Sequence, residues 1–285
     1  MQRTIGVNTW VWTSPLTDES LAELAPKIAR MGFGAIELPL ENAGDWDAAR
    51  AGDLLGSLGL APVVIGAMGP GRSLVDRAGN VAATQAYLRT CLAAARGVGA
   101  SVVAGPFYAP TGVTWRMTTG ERTEVVAQLR RNLEPLVDEA AAAGLALAVE
   151  PLNRYETSVI NTVEQGIDAL APLFGPGLGL ALDTYHLNIE EKRPDAAIRA
   201  AAGNIAHVQV CGSDRGPVGD DHTDWPETLA ALDDAGYAGI LGLESFTGEN
   251  ATIAVAASVW RPLAASQDDL AERSLRYLTA LQASR

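Results

Sequence analysis

The sequence predicts one (β/α)₈ barrel spanning residues 1–285, and three observations predict it. Short apolar runs alternate with longer amphipathic patterns from end to end, the 285 residues suit eight such units, and no linker or low-complexity gap divides them. The apolar runs place strands at 4–12, 34–38, 61–66, 101–105, 145–150, 178–183, 205–210 and 239–244. Helical periodicity fills the intervals, for example over 18–31, 76–98, 120–143 and 162–174. Start signals stand at Thr17-Asp18-Glu19, Thr162-Val163-Glu164 and Asp224-Trp225-Pro226-Glu227, and Gly144 is a natural helix stop. An open doubly wound sheet is the competing architecture. It asks for a Gly-rich phosphate turn after the first strand, where this chain has Trp10-Val11-Trp12-Thr13-Ser14-Pro15.

Composition narrows the partners. Hydrophobic residues make up 48% and charged residues 19%, which excludes a disordered chain. The net charge of −13 argues against nucleic acid or an anionic membrane, both of which need a basic face. Cys91 and Cys211 are too few for a disulfide framework, and reduced thiols in a cytoplasmic protein are expected. The start Met1-Gln2-Arg3-Thr4 runs directly into an apolar strand rather than a signal peptide. The uncharged stretch 97–115 is broken by Gly97, Gly99, Gly105, Pro106, Pro110 and Gly112, unlike a membrane span. No Gly-x-Gly-x-x-Gly run is present, so no nucleotide cofactor is expected.

In such a barrel the chemistry sits where strands run out into loops. The fifth, sixth and eighth strands end in Glu150, Asp183 and Glu244, and the seventh carries His207-Val208-Gln209. Three carboxylates leaving apolar strands oppose one another's ionisation, and a divalent cation resolves that conflict. Carboxylates with a neutral fourth donor suit Mn²⁺, Mg²⁺ or Co²⁺ better than structural zinc. The plainer alternative is that each acid is a salt-bridged or capping residue. Residues two apart share a strand face, so His207 and Gln209 both point inward, with His207 about 6.6 Å deeper. Glu37, ending the second strand, reads as a loop cap, His222 as a solvated loop histidine, and Cys211 as a small core filler. Trp12 is either a pocket wall or packing.

Several segments then carry a resemblance. Glu150-Pro151-Leu152-Asn153-Arg154-Tyr155-Glu156-Thr157, Asp183-Thr184-Tyr185-His186-Leu187-Asn188-Ile189-Glu190-Glu191, Asp214-Arg215-Gly216 with His222-Thr223-Asp224-Trp225, Glu244-Ser245-Phe246 and Val259-Trp260-Arg261 are similar to the ketose 3-epimerases. These are the D-tagatose and D-psicose (allulose) 3-epimerases of the xylose-isomerase-like TIM-barrel superfamily. The resemblance implies that Glu150, Asp183 and Glu244 ligate the metal and that Glu150 and Glu244 are also the acid-base pair. It further implies that Glu156, His186 and Arg215 hold substrate hydroxyls, that Phe246 lines the pocket, and that the protein is a homodimer or homotetramer.

One position departs from that family. Its His-x-His on the seventh strand supplies the fourth ligand, whereas this chain has Gln209, whose carbonyl oxygen can coordinate Mn²⁺ or Mg²⁺. Hydroxypyruvate isomerases resemble this arrangement. The expectation is a Mn²⁺ site of Glu150, Asp183, Gln209 and Glu244 that epimerises a free ketose at carbon 3. Aldose-ketose or hydroxypyruvate-type isomerisation, a lyase, and a sugar-binding protein without catalysis are the alternatives. A repair nuclease on the same barrel wants more histidines than the three present.

Overall fold

The computed structural model describes residues 1–75 and 80–285. Eight strands close into a parallel barrel in sequence order, with β8 pairing back onto β1. They are β1 (Ile5–Asn8), β2 (Ala35–Leu40), β3 (Ala61–Gly66), β4 (Val102–Gly105), β5 (Ala146–Val149), β6 (Leu178–Asp183), β7 (Ile205–Val210) and β8 (Leu241–Leu243). The helices are α1 (Asp18–Met31), α2 (Ala48–Leu58), α3 (Val81–Val98), α4 (Thr119–Ala142), α5 (Val163–Leu170), α6 (Thr184–Glu190), α7 (Pro194–Ala200), α8 (Trp225–Asp234), α9 (Ala251–Ala256) and α10 (Gln267–Ala283). No helix among the described residues is long and apolar enough to cross a membrane.

Local chemistry sets the helix ends. Thr17 and Thr118 close capping boxes with Ser20 and Glu121, and Asp47, Asn80, Thr162, Asp224 and Ser266 cap by a side-chain oxygen on a backbone N–H. Gly144, with φ of +70°, takes the left-handed turn after α4. The apolar faces of these helices pack on the outside of the barrel through residues such as Leu21, Leu55, Leu88, Leu133 and Leu278.

One strand expectation and one helix expectation change. The first strand stops at Asn8, and Thr9–Val11 form a 3₁₀ turn capped by Asn8 Oδ1, which accepts from Trp10 N–H. The expected helix at 76–98 starts at Val81; its residues 76–79 lie outside the described ones.

The β6–β7 ladder carries a bulge. Leu180 pairs with Ile205, but Ala181 pairs with His207, so β7 uses one extra residue there. Asp183 and Gln209 thereby become register partners. Gly179 makes room for the bulge: a Cβ there would lie 2.7 Å from the Ala206 Cβ and 2.8 Å from the Asn204 oxygen, neither of which can give way without moving the strand. Replacing it by Ala (Gly179→Ala) is expected to destabilise the fold by about 1–3 kcal/mol, the usual scale of overpacking, as read by urea unfolding. An unchanged midpoint would mean that the bulge is not sterically set.

Candidate active site

Strand ends aim three acids into one place. Glu150 directly follows β5, with its N–H on the Gly105 carbonyl, and Glu244 follows β8, with its N–H on the Val210 carbonyl. Asp183 ends β6 and caps α6, its Oδ1 accepting from Tyr185 N–H at 2.9 Å. All three are buried, and Arg215 is buried between two of them. Its Nη1 donates to Asp183 Oδ2 at 2.6 Å and to Glu244 Oε2 at 2.8 Å. The guanidinium lies over the rings of Tyr185, at 4.1 Å, and Phe246, at 5.1 Å.

The backbone holds Arg215 in that place at a cost. Its φ of +66° falls in the left-handed region, about 1–2 kcal/mol unfavourable for a residue with a Cβ. The turn is fixed by Arg215 N–H on the Gly212 carbonyl and by Ser245 Oγ donating to the Arg215 carbonyl at 2.7 Å. Strain at a non-glycine residue that places a buried charge marks a functional loop.

The electrostatics separate the acids. Burial, with Glu244 and Asp183 nearby, holds the Glu150 carboxyl well above the usual carboxylate range, against the pull of Arg215. Burial likewise pushes Glu244 up to about 8, with Arg215 opposing and Asp183 and Glu37 adding. Asp183 is buried too, but Arg215, His186 and the Tyr185 N–H overcome burial and hold it below its ordinary value. One cation for three clustered acids leaves negative charge in excess, a conflict that a divalent cation would relieve.

His186 joins the cluster through its position on α6. Its Nε2 lies 3.5 Å from Glu150 Oε1 and 3.7 Å from Asp183 Oδ2. Donor atoms of Glu150, Asp183 and His186 all lie within 4.8 Å of one another, a group able to hold a metal ion. On the other side of the ring, Nδ1 accepts the Asn153 backbone N–H at 3.0 Å. A neutral imidazole that accepts at Nδ1 carries its proton on Nε2, and burial holds His186 below its ordinary pKa, hence neutral at pH 7. With Nδ1 accepting, Nε2 turns its proton toward the acids, 3.3 Å from Arg215 Nη2, and to join a metal His186 would have to present Nε2 unprotonated; Asn153 Nδ2 also donates to Glu156 Oε1 at 2.7 Å.

Gln209 lies beside Glu244, its Nε2 donating to Glu244 Oε1 at 2.8 Å and to Glu37 Oε2 at 2.9 Å. Glu37 is not the loop cap its sequence position suggests. β2 continues to Leu40, so Glu37 sits in mid-strand with its side chain inside the barrel. Cys211, expected as core filler, touches the site: its Sγ is 3.3 Å from Arg215 Nη1 and 3.6 Å from Asp183 Oδ1. His222 is exposed in its loop, against Ser213 and Asn188, as expected.

Trp12 stands apart from this group. Its indole N–H donates to Asp268 on α10 at 2.7 Å, and Lys27 lies over its ring. The aromatic against Phe246 is instead Trp10, with ring centroids 5.7 Å apart. A continuous strand over 4–12 would give Trp10 and Trp12 one face; the 3₁₀ turn breaks that alternation. Trp10 and Tyr185 are the residues that the sequence reading passed over. Only their adjacency to Asn8 and Asp183 could have signalled them.

The comparisons with known proteins agree with this layout. The profile of the xylose isomerase-like TIM barrel family matches residues 25–281. An L-ribulose 3-epimerase of Mesorhizobium japonicum is 30% identical over 278 residues, covering 96% of this chain and 92% of that protein. A solved L-ribulose 3-epimerase structure superposes with a TM-score of 0.90 at 28% identity, over 99% of this chain and 95% of that one. A D-allulose 3-epimerase of Methylomonas sp., solved in complex with D-allulose, gives 0.87 at 27% identity, over 98% and 97%. The chain belongs to the xylose isomerase-like TIM-barrel family and, within it, to the ketose 3-epimerases, enzymes of the isomerase class.

The charge conflict makes opposite predictions for two acids. A carboxyl whose folded pKa is raised stabilises the fold only while protonated, and that stability is lost as pH rises from the unfolded value, about 4.3, through the folded one. In chelator-dialysed protein Glu150→Gln is therefore expected to raise Tm at pH 8 by roughly 2–4 °C, with little effect at pH 5. For Asp183 the sign is reversed: Asp183→Asn removes a depressed carboxylate from Arg215 and is expected to lower Tm at pH 8. Calorimetric scans at the two pH values check both. A Glu150→Gln effect that is the same at pH 5 and pH 8 would remove burial of charge as the cause.

Proposed function

We propose that the protein epimerises a free ketose at carbon 3, with Glu150 and Glu244 as the acid-base pair. The observation that carries this reading is the pair itself. Two buried glutamates stand three strands apart around the closed barrel, both held toward the protonated state and both beside Asp183 and Arg215. Inverting a carbon next to a ketone needs a base on one face and an acid on the other, with pKa values near the working pH. The names of the relatives support a ketose substrate, D-allulose being the one in the Methylomonas complex.

Glu150, Asp183, Glu244 and the Gln209 amide oxygen would hold a divalent cation, Mn²⁺ in the first place, with Mg²⁺ or Co²⁺ as substitutes. When bound, it supplies Lewis acidity that acidifies the carbon next to the ketone. One glutamate then takes the carbon 3 proton and the other returns a proton to the opposite face, their roles exchanging with the epimer that enters. His186 donates its Nε2 proton to a substrate oxygen, and the Asn153 N–H on Nδ1 fixes the tautomer for that task. Arg215 and Glu156 hold the neighbouring hydroxyls, while Phe246 and Trp10 form the apolar wall. Arg215 is already bonded to two carboxylates, which favours a free sugar over a sugar phosphate.

Gln209 favours one second reading, proton transfer between carbons 1 and 2 as in a hydroxypyruvate-type isomerase. The two readings separate in D₂O. A panel of free ketoses with Mn²⁺, analysed by NMR, is expected to give the carbon 3 epimer with deuterium at carbon 3. Label confined to carbon 1 would replace the epimerase by the isomerase. Glu150→Gln and Glu244→Gln are each expected to lower kcat by about 10²-fold or more; near-normal turnover of either would end the two-glutamate assignment. Replacing Gln209 by His (Gln209→His) should raise Co²⁺ affinity relative to Mn²⁺, since nitrogen donors favour cobalt. Calorimetry showing an unchanged Co²⁺/Mn²⁺ ratio would put position 209 outside the ligand set.

A further inference from the structure

Beneath the three acids lies a fourth carboxylate that the proposed reaction does not use. Glu37 is fully buried, and three neighbouring strands are arranged around it. From β1, Asn8 Nδ2 donates to Oε2 at 3.0 Å; from β7, His207 Nε2 lies 2.7 Å from Oε1 and Gln209 Nε2 donates to Oε2 at 2.9 Å. β8 passes with no side chain at all, because a Cβ at Gly242, the register partner of Gln209, would overlap Glu37 Oε1. Asn8 cannot turn its amide over, since its Oδ1 holds the Trp10 N–H. A buried carboxylate needs such compensation, and replacing it by an apolar side chain would be the simpler way to fill a barrel.

The consequence falls on Gln209. A primary amide has two hydrogens and one oxygen. Both hydrogens are committed, one to Glu37 Oε2 and one to Glu244 Oε1. Turned over, the amide would set its oxygen against Glu37 Oε2 at hydrogen-bond distance, which is repulsive. We propose that Glu37 is a positioning residue of the catalytic centre: it locks the Gln209 amide with its NH₂ on Glu244, which leaves Gln209 Oε1 as the atom offered to the cation. Glu37 thus acts on the acid-base glutamate and on the ligand set through a single side chain. The lock itself stands on the geometry, whereas the service it performs rests on the function proposed above.

An isosteric change exposes the lock. In Glu37→Gln a single uncharged amide oxygen faces three donors, and Asn8, which cannot turn over, competes with the Gln209 NH₂ for it, so Gln209 is held more weakly. Three measurements read the effect. In ¹⁵N–¹H spectra of metal-free protein, the Gln209 side-chain NH₂ pair, assigned by its loss in Gln209→Ala, is expected to be displaced from solvent-exposed amides and protected from exchange. Glu37→Gln should return it toward solvent-like positions, and an unchanged pair would overturn the lock. By calorimetry with Mn²⁺, Glu37→Gln should weaken binding by about 10–100-fold, the scale for losing a partner of a ligand. In the Gln209→Ala background the same change should cost less than about twofold, because the energies of coupled residues do not add. Equal losses in both backgrounds would show a merely structural Glu37.

With ketose substrate, kcat should fall while KM moves less, since the ordered amide serves the reacting groups rather than substrate entry. If Glu37→Gln fails to fold, Glu37→Asp, with its carboxylate withdrawn by one methylene, carries the same three measurements. A wild-type protein that turns over no ketose would overturn the proposed reaction, and the amide spectrum would still decide the lock.

Discussion

Carboxylates repel one another most strongly where water cannot screen them, and the mouth of this barrel collects three of them on the ends of buried strands. The surrounding structure answers that repulsion. Arg215 is drawn in between Asp183 and Glu244, is shielded by the rings of Tyr185 and Phe246, and is kept there by a left-handed turn that an arginine does not adopt by choice. One guanidinium cannot neutralise the set. It stabilises the charge on Asp183 but leaves Glu150 and Glu244 leaning toward their protonated forms. The same imbalance that burdens the fold leaves two carboxyls with raised pKa values of the kind that cluster at functional sites, beside a group of side chains that could hold a metal ion.

The closed parallel sheet makes this crowding possible. Each strand delivers its last residue to one end of the barrel, so acids distant in sequence meet without any local motif to bring them together. The details depend on small departures from regularity. The β6–β7 bulge sets Gln209 opposite Asp183, and Gly242 clears the space in which Glu37 is held. The 3₁₀ turn after β1 brings Trp10 to Phe246 and sends Trp12 outward to Asp268. These features are one to three residues in size, yet each decides which side chain faces the site.

The alternation of apolar runs and amphipathic segments was enough to determine the barrel, because burial of strand and helix faces follows from periodicities of two and 3.6 residues. Strand ends in Glu150, Asp183 and Glu244 were legible for the same reason, as were the caps at Thr17, Thr162 and Asp224. The resemblance of whole segments supplied the expected parts of His186, Arg215 and Phe246. The places of Glu37 and Trp12 were not legible. Glu37 looked like a strand end because two further strand residues, Pro39 and Leu40, fell outside the predicted run, and Trp12 looked like a wall because a strand was expected to continue through it.

By itself, then, the sequence determined the architecture, the identity of the clustered acids and the end of the barrel where they gather, since these depend on patterns that run along the chain. Only the tertiary structure decided the atoms: which nitrogen of His186 carries the proton, which way the Gln209 amide faces, that Arg215 bridges Asp183 and Glu244, and that Glu37 lies beneath them. Those choices are made by hydrogen bonds between residues from 29 to 172 positions apart, such as Arg215 with Glu244 and Glu37 with Gln209, or by a backbone N–H such as that of Asn153 on His186. The direction of such a bond depends on the three-dimensional packing of strands and loops, and no periodicity in the sequence encodes it.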